Sequence, residues 1–145
     1  MSDKTLADIA KAMKDIDIAM LLTHTEDGAI AGRPMSNNRE VEYNGDSYYF
    51  TFDQTRTVSD IERDPKVALS FQGDRKLLGR PGMNINVEGQ AEVVRDPEAF
   101  RQHWNSDLNH WFDQGADTPG LVMVKVQAKR VHYWDGQEEG EIPVR

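Results

Sequence analysis

The sequence predicts a mainly β fold with helical additions, an antiparallel barrel, and three observations carry that reading. About six short apolar or alternating runs are separated by Gly, Pro, Asn and Asp, the punctuation of an all-β chain. An Asn44-Gly45 pair lies between two such runs and supplies the positive φ values of a tight hairpin turn. Only two or three stretches place apolar residues at helical spacing. The 145 residues suit one domain, 1–145, with a moderate core.

In chain order, Leu6, Ile9, Ala10, Met13 and Ile16 recur at helical spacing behind Ser2 and Asp3, either of which can cap. They predict an amphipathic helix over about residues 3–15. Ile18–Thr25 reads as a buried strand, and Glu26-Asp27-Gly28 turns it into a second strand, Ala29–Ser36. After Asn37-Asn38, the segments Arg39–Tyr43 and Ser47–Phe52 read as the two arms of the Asn44-Gly45 hairpin. A short helix through Ser59–Asp64 is ended by Pro65, and Val67–Phe71 is the next strand.

Gly73–Gly82 is the longest loop, and it is basic in an acidic chain. A lid over an anionic substrate and a solvated connector are both open readings, with the connector favoured. Met83–Val94 alternates, with Ile85, Val87, Gly89 and Ala91 on one side and Asn84, Asn86, Glu88 and Gln90 on the other. A helix starts at Pro97 behind Asp96, and Phe100, Trp104 and Trp111 read as core or dimer contacts. In the last strand, Val122, Val124, Val126 and Ala128 keep one parity and Val131 and Tyr133 the other, which requires a bulge around Lys129-Arg130. The acidic tail, about residues 136–145, reads as disordered.

These strands set Arg33 near one strand end, and Thr51, Thr55, Arg56 and Thr57 at or beyond another. Two guanidiniums and three hydroxyls within reach of one another have the chemistry of an anion site, with phosphate the natural occupant. A helix beginning near Thr55–Thr57 adds free amides. Thr55 or Thr57 acting only as a helix cap is the competing reading, and the neighbouring arginines favour the anion. His24 reads as an ordinary strand-end histidine. His103 and His110 lack a carboxylate at ligand spacing, so no metal site is expected.

A formal charge of −8 argues against nucleic acid as a partner, because backbone binding needs a basic face. With no cysteines, thiol chemistry and disulfides are excluded. No apolar run approaches membrane-spanning length and no secretory leader is evident, so no membrane association and a cytoplasmic location are expected.

Four motifs, in order, carry a family resemblance: Arg33-Pro34-Met35-Ser36; Tyr49 through Thr57; Asn84 through Ala91; and Trp111 through Gly115. The chain resembles the pyridoxamine 5′-phosphate oxidase-like flavoproteins, specifically the general stress protein 26 group. The resemblance implies a split β-barrel that binds FMN across a homodimer interface. By that resemblance Arg33, Pro34, Met35 and Ser36 match the strand that meets phosphate and ring, Phe50-Thr51 an aromatic–Thr pair beside the flavin, and Arg56, between Thr55 and Thr57, a phosphate-binding Arg. The family often has Ser-Arg-Lys where this chain has Thr55-Arg56-Thr57, so one cation is missing. A ring-contacting Gln of the oxidases falls at Asn84, whose amide, with those of Asn86 and Gln90, suits the polar edge of a flavin. Trp111 is expected to reach the flavin from the partner chain. The implied activity is a flavin-dependent oxidoreductase; a flavin store or sensor without turnover, and a barrel using F420 or haem, stand beside it.

Overall fold

The structure, a computed structural model, describes residues 4–39, 42–74, 79 and 82–145. The helix α1 (Leu6–Met13) starts at Thr5, whose side chain and Asp8 form a reciprocal capping box. It buries Ile9, Ala10 and Met13. Residues 2 and 3, expected as its cap, lie outside the described residues.

The strands β1 (Ile18–His24), β2 (Ile30–Ser36), β3 (Asp46–Phe52), β4 (Lys66–Gln72), β5 (Asn84–Val94), β6 (Leu121–Asp135) and β7 (Glu138–Pro143) form one sheet. Its order is β2-β1-β4-β5-β6-β3, with β7 also paired to β6. All pairings are antiparallel, and the sheet does not close: β2 and β3 are its two ends and are not hydrogen-bonded to each other. The helices α2 (Arg56–Arg63) and α3 (Pro97–His103) and two short 3-10 turns, Ser106–His110 and Gly115–Asp117, are the other elements among the described residues. No helix among the described residues is long and apolar enough to cross a membrane.

Strand parity builds the core. Ala19 and Leu21 of β1, Leu69 and Phe71 of β4, Ile85 and Val87 of β5, and Val131 and Tyr133 of β6 fill the main cluster. A second cluster, with Phe50, Phe100, Leu108, Phe112, Leu121 and Met123, lies under α3 and the 3-10 turns. The expected bulge is present: Glu88 faces Arg130 while Gly89 faces Ala128, which leaves Lys129 as the extra residue. The bulge also divides the far side of β6, since β3 pairs with Leu121–Gln127 and β7 with Arg130–Asp135.

Two expectations are corrected. Asn44-Gly45 does not join a hairpin, because β3 pairs with β6 and described residues 39, 42 and 43 are not in a strand. Instead the Asn44 side chain accepts from the Asp46 amide at 3.0 Å, a local turn that needs no partner strand. Nor is the tail disordered. Its glutamates are the exposed side chains of β7, an edge strand whose charges face solvent. Beyond it, Val144 N donates to Lys129 O (2.9 Å) and Arg145 pairs with Asp46 at 2.6 Å. Most of the basic loop 73–82 lies outside the described residues, and so does the choice between lid and connector.

Candidate functional site

A cleft of about 300 Å³ opens where the sheet fails to close, with β2 on one side and β3 on the other. Its lining includes Arg33, Pro34, Met35 and Ser36 from β2, Phe50 and Thr51 from β3, Thr57 from α2 and Trp111. Eight of the residues singled out from the sequence thus meet in one place. Among the described residues β2 and β3 have no strand on their outer sides, so their outward peptide groups border this cleft. That is an uncommon supply of donors and acceptors in a mainly apolar hollow, and Pro34 withholds one donor from it.

The opposite wall is aromatic. Phe50 meets Phe100 and Trp104 edge-on, with centroids 5.9 and 4.9 Å away, and Phe52 lies 5.3 Å from Phe112. The Trp104 indole donates to Asn109 Oδ1 at 3.0 Å, which fixes the ring behind this wall. Trp111 remains 67% exposed at the mouth, and Ile18 and Phe52 are exposed beside it. Large apolar groups left in water around a cleft mark a surface meant to be covered.

The charged pole lies at the start of α2. Thr55 is the N-cap: its hydroxyl accepts from Val58 N at 3.4 Å and donates to Phe52 O at 2.9 Å, so Thr55 holds the helix start and does not line the cleft. The amides of Arg56 and Thr57 stand in the first turn, beyond the reach of intrahelical carbonyls. Arg56 is exposed and is not among the residues lining the cleft; its Nε lies 3.9 Å from Asp60 Oδ2. Arg33 Nη2 lies 3.6 Å from the same oxygen, while its Nη1 donates to Thr23 Oγ1 at 2.8 Å and Leu21 O at 3.2 Å. Asp60 is only 2% exposed; it accepts from Thr23 Oγ1 at 2.9 Å and Arg63 Nη2 at 3.0 Å.

Burial works to raise the Asp60 carboxyl, but the hydrogen bonds from Arg63 and Thr23 and the charges of Arg63 and Arg56 outweigh it. The group is held below the usual carboxylate range. Burial lowers the Arg33 guanidinium; Asp60 opposes that and Arg56 adds to it. A carboxylate depressed in the folded state stabilises the fold above its unfolded pKa, about 4, and that contribution is lost as pH falls through the lower folded value. Urea midpoints should therefore fall below about pH 4, and the fall should be shallower in Asp60→Asn. Superimposable acid limbs for the two proteins would remove Asp60 from that linkage.

Asn84 is not in the cleft. It lies on the outer face of the sheet, where Ser70, Gln72, Asn84, Asn86 and Trp134 line a separate hollow. In the sheet β5 is two strands from β1, roughly 10 Å away. Trp111 lines the cleft of its own chain, at its mouth. Sequence reasoning missed Asp60, Thr23 and Arg63. The spacing of Asp60, four residues after Arg56 and three before Arg63, was the available signal.

A model of the family described as "Pyridoxamine 5′-phosphate oxidase like" matches residues 4–144. The fold is similar to a solved protein of Clostridium acetobutylicum, of the pyridoxinephosphate oxidase family and related to general stress protein 26 of Bacillus subtilis. The TM-score is 0.83 at 18% identity, over 99% of this chain and 97% of that one. A general stress FMN/FAD binding protein from the phytopathogen Xanthomonas citri is similar over 92% of this chain and 89% of its own, with 21% identity and a TM-score of 0.73. Protein bli-3 of Neurospora crassa is 24% identical over 140 residues, 90% of this chain, and the match spans 65% of that relative's length. At these identities the solved structures show likeness of fold alone.

Proposed function

Because the chain belongs to the pyridoxamine 5′-phosphate oxidase-like family, we propose that the cleft between β2 and β3 binds FMN, with the phosphate at the α2 pole and the ring along the two open strand edges. The observation that carries this reading is the joint placement of Arg33, Thr57 and the free first-turn amides beside an apolar cleft bordered by unpaired peptide groups. Charge-assisted bonds suit the phosphate, peptide donors and acceptors suit the ring's polar edge, and Phe50 and Phe112 suit its apolar body. The Xanthomonas citri neighbour, which bears FMN/FAD binding in its name, points the same way.

Bound there, the flavin supplies the redox chemistry, and the chain supplies grip, orientation and exclusion of water. Among the described residues, the lining side chains include no carboxylate and no imidazole. This favours, as a second reading, a protein that holds flavin without turnover. A flavin spectrum in the purified protein, as opposed to that of F420 or haem, tests the ligand. Reduction by NAD(P)H or a substrate faster than for free FMN separates oxidoreductase from store.

The phosphate assignment has its own test. Arg56→Ala should weaken FMN by roughly 1.5–3 kcal/mol, about tenfold to a hundredfold, and leave riboflavin almost unchanged. Equal losses for both ligands in fluorescence titration would take Arg56 out of the phosphate site.

The working unit in this reading is a homodimer. Ile18, Met20 and Trp134 are exposed apolar groups near the outer-face hollow that holds Asn84 and Asn86, and Phe52 and Trp111 are left exposed at the mouth of the cleft. A partner copy laid on that face would cover both and offer its Asn84 to the neighbouring ring. Light scattering on the eluting protein should give twice the 16.5 kDa chain mass. A monomer that binds FMN fully would overturn the dimer.

A further inference from the structure

We propose that Asp60 is the positioning residue of the phosphate pole, setting the guanidiniums of Arg33 and Arg56 from behind so that they face a dianionic phosphate together. The inference rests on the reading of that pole as a phosphate site. Asp60 itself touches no ligand: it is buried on the inner side of α2 and is not among the residues lining the cleft.

Its two oxygens are used unequally. The tight contacts, Thr23 Oγ1 at 2.9 Å and Arg63 Nη2 at 3.0 Å, tie the carboxylate to β1 and to its own helix. Arg63 also donates to His24 O at 2.9 Å, so the end of β1 and α2 are clamped through this one group. The loose contacts, at 3.6 and 3.9 Å, run to Arg33, which lines the cleft, and to Arg56 in the first turn of α2. Oδ1 takes Arg63, whereas Oδ2 takes the short bond from Thr23 and also faces both Arg33 and Arg56. A carboxylate fixed by Thr23 and Arg63 thus draws the two arginines toward one oxygen without a short bond to either. Thr23 completes the arrangement, since its hydroxyl accepts from Arg33 Nη1 and donates to Asp60.

Charge supports the same role. Two guanidiniums drawn together repel each other, and a buried carboxylate between them offsets that repulsion. With Arg63 included, three guanidiniums face Asp60, and the Asp27 carboxylate also bears on Arg56, so the pole keeps a net positive charge in a chain of formal charge −8. A phosphate monoester carries close to two negative charges at neutral pH. The pole thus has the sign that a terminal phosphate needs without the lysine missing at Thr57. The device is local: it joins residues of β1, β2 and α2 only.

The test is a pair of titrations, FMN and riboflavin, on the wild type, Asp60→Asn and Thr23→Val. Asp60→Asn keeps the shape but removes the charge, and it should lose FMN affinity by roughly tenfold while riboflavin shifts less than about twofold. Thr23→Val, which cuts the relay to Arg33, should show the same split at a smaller size. Equal losses of both ligands would mean that Asp60 only holds the fold, and tighter FMN binding in Asp60→Asn would mean that it merely competes with the phosphate; either overturns the inference. If Asp60→Asn does not fold, the Thr23→Val split decides. A wild type that binds FMN and riboflavin equally would instead remove the phosphate site itself, and the positioning role with it.

Discussion

Replacing Phe71 by alanine is expected to cost about 3–5 kcal/mol of stability, the usual toll for truncating a buried aromatic side chain. Phe71 is 1% exposed on β4, opposite Ala19 of β1 and Ile85 of β5, at the centre of the main cluster. Both neighbouring strands are held by their own ladders, so the site cannot collapse to fill the space. Domains of this size hold only about 5–15 kcal/mol in total, so the loss is a large fraction of what is available. The melting temperature should drop by roughly 10–20 °C. Because Phe71 does not line the cleft, flavin affinity per folded molecule should survive the change. Phe50→Ala should do the reverse in kind, since Phe50 lines the cleft and supports Trp104 and Phe100 behind it. A Phe71→Ala protein within about 1 kcal/mol of wild type would show that the main cluster is not packed to normal density.

Gly89→Ala should cost about 3 kcal/mol, the upper end for overpacking, although it adds only a methyl group. A Cβ at position 89 would stand 2.4 Å from Gln127 O and 3.1 Å from Gln127 C, both backbone atoms. No rotamer change relieves such a contact. Gly89 faces Ala128 beside the extra residue Lys129, where the β5 and β6 backbones crowd together. The methyl would have to push apart the longest strand pairing in the protein. Urea midpoints measure this directly, and a change under about 0.5 kcal/mol would mean that the bulge relaxes freely.

Much of the fold was legible because strand parity is a strict code. The switch between Ala128 and Val131 placed the bulge, and the alternation from Asn84 to Ala91 placed a buried face. Neighbourhood was less legible. Asn44-Gly45 has the chemistry of a hairpin turn, yet Phe50 pairs with Met123, far along the chain, and local turn residues carry no information about that choice. The glutamates of β7 were misread because an exposed edge strand and a disordered acidic tail share a composition. The motifs singled out Arg33, Phe50, Thr51 and Thr57, which line one cleft, but Asp60 required three dimensions. A lone Asp on an amphipathic helix looks solvated until β1 and β2 bring Thr23 and Arg33 to it.

The open seam between β2 and β3 bears on more than binding. Two bare strand edges in one small sheet are templates on which another chain can add itself, and a protein usually blunts them with charge, proline or a covering element. Here Pro34 interrupts one edge, and the aromatic turns around Trp111 shade the other only from the side. A flat ring seated in the seam would occupy the peptide groups that a foreign strand would need. Cofactor supply would then govern solubility: chains made without their ligand would be drawn into aggregates or degraded, and loaded chains would persist. The amount of protein in a cell would follow the amount of flavin available to fill it.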